Sequence, residues 1–150
     1  FKDSYKVFPS LVQAQKIGEK AAHIGFDWNA PEQVIDQVIE ELNELRIEVQ
    51  KGNQNAAIDE MGDVFFSMAQ LCRHLGLQSE HMSLKGNQKF LRRFAKLESL
   101  AEADGLNLDS MSQMQWEAYW KKAKKAGQQC PAFYSFICCL FFTVLRQWLF

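Results

Sequence analysis

Two acidic pairs, Glu41/Glu44 and Glu60/Asp63, stand at i,i+3 spacing within the stretch EELNELRIEVQKGNQNAAIDEMGD. On a helix that spacing puts both members of a pair on one face. Between the pairs, Lys51-Gly52-Asn53 is a stop-and-restart signal. Glycine favours the left-handed backbone that ends a helix, and Asn53 or Asn55 can cap the next one. The pairs are symmetric about residue 52, so an antiparallel helical hairpin sets Glu41 level with Asp63 and Glu44 level with Glu60.

Rotation can be read as well. Val34, Val38, Leu42, Leu45 and Val49 form an apolar stripe on the first helix, with Glu41 and Glu44 to one side of it. Met61, Val64, Phe65, Met68, Leu71 and Leu75 form the stripe on the second, with Glu60 and Asp63 at similar offsets and in the same sense. Packed stripe to stripe, the hairpin brings four carboxylates together. Like charges in one place repel and raise one another's pKa unless something compensates. A divalent cation is the simplest compensation, and oxygen ligands suit Mg²⁺, Mn²⁺ or Ca²⁺ rather than zinc or copper. A solvated EExxE helix face is the plainer alternative, which the matched pair across the turn weakens. Glu40 faces away from the stripe and is given no ligand role.

The elements that must position these groups follow from periodicity and punctuation. Pro9-Ser10 opens a helix carrying Leu11, Ala14, Ile17, Ala21 and Ile24, closed by Gly25. Phe26 and Trp28 lie in the short connector after it, where plugging the end of the bundle is expected before lining a pocket. Pro31 suits the first turn of a helix running to about Gln50, and the next spans about Gln54 to His74 before Gly76. Phe66 points nearly opposite that helix's stripe, which calls for cover on two sides, a partner subunit among the candidates. Ser79 is expected to cap a fourth helix reaching Ala103, with Phe90, Phe94, Leu97 and Ala101 as its stripe. Lys89 and Arg93, at i,i+4 on its flanking basic face, can reach into a cleft. A last helix begins near Ser112 and puts Trp120 and Lys124 on one face. No strand-like alternation, phosphate-binding glycine loop or internal repeat occurs. The fold class is all-α.

The chain of 150 residues suits one domain, and 47% hydrophobic with 23% charged residues is a globular composition. A net charge of −1 offers no bulk attraction to nucleic acid. Cys72 reads as a buried free thiol, and the absence of a disulfide framework favours a reducing cytoplasm. Residues 1–8 read as a lead-in, the start at Phe1 suggesting a fragment of something longer, 9–127 as the domain, and 128–150 as an anomalous tail. From Ala132 to Leu145 the tail offers 14 mostly apolar residues, short of the roughly 20 that a spanning helix needs. Translation past a disrupted gene end is preferred to a membrane segment.

The motifs EELNEL, DEMGDVFFSMAQLCRHLG, NQKFLRRF and WEAYWKKAK, with GFDW at Gly25–Trp28, closely resemble the MazG family of nucleoside triphosphate pyrophosphohydrolases. The likeness runs from about Phe8 to Lys125 and is nearest the carboxy-terminal catalytic domain of the two-domain bacterial members. It implies a MazG-like helical bundle built on the antiparallel hairpin and dimerising into a larger one, with the site near the subunit interface. It implies Glu41, Glu44, Glu60 and Asp63 as Mg²⁺ ligands, with Mn²⁺ a substitute. Lys89 and Arg93 match residues that contact the triphosphate, and Trp120 and Lys124 a pair that closes over the nucleotide. The reaction implied is hydrolysis of an NTP or dNTP to the monophosphate and pyrophosphate, with Glu41 also orienting or deprotonating the water. The alternatives are a dUTP- or dCTP-restricted enzyme of the same superfamily, or an inactive helical module that dimerises or binds nucleic acid through KFLRR and KKAKK.

Overall fold

A computed structural model describes residues 6–128, and within them every regular element is helical. In chain order these are α1 (Ser10–His23), α2 (Pro31–Lys51), α3 (Gln54–His74) and α4 (Ser79–Ala103), then a 3-10 turn at Leu108–Ser110 and α5 (Gln113–Gln128). The expected 128–150 tail lies, beyond Gln128, outside the described residues. Among those described, no helix is long and apolar enough to cross a membrane. The residues group into two compact units, one through Asn87 and one from Gln88, and α4 contributes to both.

In the first unit α2 packs on α3, and α1 packs on α3 as well. The turn between α2 and α3 is built as the sequence requires. Gly52 takes φ +71°, Asn53 N–H closes on Glu48 C=O at 3.0 Å, and Gly52 N–H closes on Val49 C=O at 3.1 Å. The Asn53 side chain, rather than that of Asn55, caps α3 by accepting from Ala56 N–H.

The rotation of the helices differs from expectation. Val34 and Val38 are buried, but Leu42, Val49, Met61, Phe65, Met68 and Leu75 are all at least 43% exposed. What α3 buries instead is Ser67, Ala69 and Gln70. The reason is a polar anchor. Gln70 is fully buried and donates from Nε2 to the Ala14 carbonyl at 2.8 Å, while its Oε1 accepts from Arg73 Nε at 2.9 Å. An amide that loses its water must find such partners, so its bonds fix how α3 is turned. The second cover of α3, on the Phe66 side, is accordingly α1; Phe66, Ile17, Leu11 and Gly62 line a groove of about 480 Å³ there.

Gly18 on α1 makes room for this anchor, since a Cβ built there would lie 1.7 Å from Gln70 Oε1. Gly18→Ala is therefore expected to displace the amide and strand buried polar groups, costing about 1–3 kcal/mol despite the better helix propensity of alanine. Chemical denaturation checks this; a stabilised Gly18→Ala protein would show that the anchor does not hold α1.

A second anchor ties α1 to the start of α4. Gln15 donates to the Leu77 carbonyl at 2.8 Å and accepts from Ser79 N–H at 2.8 Å. Ser79 does not cap α4 from outside. It is the first helical residue, and its hydroxyl lies within bonding distance of Gln15 Oε1 and the Leu11 carbonyl. Nor do the connector aromatics both plug the bundle. Phe26 is 79% exposed, whereas Trp28 is half-buried edge-on to His74. Asp27 between them accepts from Arg73 and His74, and the Arg73 bonds hold its carboxyl well below the usual carboxylate range. Cys72 is a half-buried free thiol, with burial pushing its pKa up.

The second unit has its own core of Leu97, Ala101, Tyr119 and Ala123. Phe90 stacks on Phe94, Phe94 on Trp116, and Phe90 meets Trp120 at 5.2 Å between ring centroids. Tyr119 donates its hydroxyl to Asp104, which Lys122 also approaches at 3.6 Å.

Candidate functional site

The acidic residues of the hairpin come together. Glu41 on α2 and Glu60 and Asp63 on α3 each present a carboxylate oxygen within 4.8 Å of the other two. Glu44 stands against Glu60. Burial is the first cause that raises the Glu60 pKa, and the Glu44 carboxylate, through its charge and hydrogen-bond contact, is the next, followed by Asp63 and Glu41. The other three carboxylates thus all act on Glu60. The register set by residue 52 survives the turning of α3, because the level of each residue depends on helix rise and not on which face is buried.

Two of the four carboxylates are partly covered. Glu41 and Glu60 are half-buried while the apolar stripes beside them are open to solvent; Asp63, Glu44 and Glu40 are exposed. Partly desolvated like charges at this spacing are held at a cost that a bound cation would remove. The donor set is all carboxylate oxygen, drawn as i,i+3 pairs from two helices, and suits a hard divalent ion.

Gln37, which sequence reasoning missed, belongs to this cluster. Its Nε2 donates to Glu41 Oε1 at 2.7 Å from one turn earlier on α2. The only signal in the sequence is an amide four residues before a candidate ligand, a spacing too common to select it.

Lys89, Arg93, Trp120 and Lys124 belong to the second unit. Lys89 is exposed and Arg93 half-buried on α4; Trp120 and Lys124 are half-buried on α5. The Phe90–Trp120 contact sets the α4 turn that carries Lys89 and Arg93 beside the α5 turn that carries Trp120 and Lys124. The cationic pair of α4, Lys89 and Arg93, and the aromatic–cationic pair of α5, Trp120 and Lys124, are therefore on neighbouring turns.

Comparison with known proteins agrees with the residues. Residues 29–98 match the MazG nucleotide pyrophosphohydrolase domain. The chain is 36% identical over 125 residues to a nucleoside triphosphate pyrophosphohydrolase of Escherichia coli K12, covering 82% of this chain and 48% of that protein. It is 39% identical over 116 residues to the nucleoside triphosphate pyrophosphohydrolase/pyrophosphatase MazG of Thermotoga maritima, covering 77% and 44%. The chain spans about half the length of the curated relatives it matches.

Proposed function

Proceeding from a chain whose residues 29–98 carry the MazG nucleotide pyrophosphohydrolase domain, we propose that it hydrolyses nucleoside triphosphates to the monophosphate and pyrophosphate in a divalent-metal-dependent reaction. The observation that carries this reading is the convergence of Glu41, Glu60 and Asp63, with Glu44 against Glu60, on a hairpin inside the matched region.

Glu41, Glu44, Glu60 and Asp63 would hold the cation. When bound, a divalent ion lowers the pKa of water and offsets charge on phosphoryl oxygens. Glu41 orients the attacking water and accepts its proton; its half-burial favours a directed carboxylate over a freely solvated one. Lys89, Arg93 and Lys124 contact the triphosphate and stabilise the charge that develops on the pyrophosphate leaving group, Arg93 with the fork geometry that suits two phosphoryl oxygens. Trp120 offers an aromatic face to the base, a contact tolerant of base identity. The active form is a homodimer, for which the exposed apolar stripe of α2 and α3 supplies the surface.

The test is product identity across a panel of NTPs and dNTPs with Mg²⁺. Monophosphate with pyrophosphate is the expected pair, and diphosphate with orthophosphate would contradict the reading. Turnover confined to dUTP or dCTP would mark the base-restricted alternative.

The electrostatics give a second expectation. The pKa of Glu60 is raised, so the fold binds that proton more tightly than the unfolded chain does. Its contribution to stability is full below the ordinary glutamate value and is lost as pH rises through the raised one. Metal-free protein should therefore lose stability over that window, and Mn²⁺ should restore it at neutral pH. At a hundredfold excess over Kd the gain is about 2.7 kcal/mol, or roughly 5–10 °C in Tm, fading as the carboxylates protonate. A Tm shift that is the same at acid and neutral pH would place the ion elsewhere.

A further inference from the structure

We propose that Gln37 is a positioning residue of the metal site, acting through Glu41. The inference rests on the pyrophosphohydrolase reading above and goes beyond it, because Gln37 itself would touch neither the ion nor the nucleotide.

The geometry is specific. Gln37 Nε2 donates to Glu41 Oε1 at 2.7 Å, and both residues are half-buried on α2. Side chains on a helix lean toward its N-terminus, so Glu41 reaches back over the turn that carries Gln37. The amide must present its nitrogen here, since a carboxylate facing it can only accept. One N–H on Oε1 restrains where that oxygen sits. A carboxylate has two oxygens, so the bond leaves acceptor capacity for an ion in the space where one oxygen of Glu41 lies within 4.8 Å of those of Glu60 and Asp63.

The residue type matters as much as the contact. Another carboxylate at this position would add repulsion to a cluster in which Glu60 is already pushed upward. A lysine or arginine would offer a cation that competes with the metal for the same oxygens. A neutral donor orients Glu41 without adding or cancelling charge. Outer partners of this kind typically set about 10–100-fold in metal affinity or activity.

The test is an EPR titration of Mn²⁺, carried into the millimolar range, on the full chain. Gln37→Met keeps the length and flexibility of the side chain and removes the donor; Gln37→Leu is the second variant if the first does not fold. The same substitution is also made in the Glu41→Gln background. Weakening of Mn²⁺ binding by about tenfold in the native background, with no further weakening in the Glu41→Gln background, is expected. Unchanged affinity in a folded Gln37→Met protein, or an equal loss in both backgrounds, would overturn the proposal while leaving the metal site intact. Mn²⁺ binding that is indifferent to Glu41→Gln would remove the metal-site reading and this inference with it.

Discussion

Glu41→Gln is expected to lower metal-dependent pyrophosphate release by about 10²–10⁴-fold, the range for loss of a positioned proton acceptor. The metal-free protein should meanwhile be as stable as the native chain, or more so. Both effects have one cause. Glu41 is half-buried within 4.8 Å of Glu60 and Asp63, so neutralising it at constant shape removes repulsion from a cluster that has no internal positive charge. The same charge is what draws the cation and takes the proton of the attacking water. A residue that merely supports the fold would lose stability and activity together. Thermal melts in EDTA beside single-turnover kinetics in Mg²⁺ separate the two cases. Full activity in Glu41→Gln would dismiss Glu41 from the chemistry.

Placing two charges on the open face of α3, as Phe65→Glu with Met68→Glu, is expected to convert a dimer to monomer. Phe65 is 58% and Met68 44% exposed within the chain, and Leu42 on α2 is 47% exposed. Apolar side chains left open in such number on one hairpin are a surface made to be covered. Burying uncompensated charge at an interface costs about 3–5 kcal/mol, which raises the dissociation constant by roughly 10²–10⁴-fold. Light scattering across a dilution series reads the change, and circular dichroism should show the helices retained. A native chain that is monomeric at high concentration would contradict the assignment of this face.

Much of this was legible in the residues. Gly52 and Asn53 mark a turn because one takes the left-handed backbone and the other caps, and the acidic pairs lie at equal distances from that turn. The level pairing of Glu41 with Asp63 and of Glu44 with Glu60 follows from that symmetry, while their convergence also needs the helix rotation. The rotation of α3 was not legible, since periodicity weighs apolar residues and the helix is oriented by a buried glutamine. The partner of Gln70 lies 56 residues away at Ala14, and nothing local announces it. The place of Ser79 inside α4 is hidden for the same reason, its bonds reaching Gln15 and Leu11 across 64 and 68 residues. The Lys89/Arg93 and Trp120/Lys124 pairs are each legible from i,i+4 spacing on one helix. Their place on neighbouring turns depends on Phe90 meeting Trp120, which no single-helix pattern contains.

The most direct measurement is anomalous diffraction at the manganese edge from crystals of this chain grown with MnCl₂. A peak coordinated by carboxylate oxygens of Glu41, Glu60 and Asp63, with Glu44 completing or flanking the shell, is the expected result. A peak at another site, or none while the protein is saturated with Mn²⁺ in solution, would contradict the assignment of the hairpin as the metal centre.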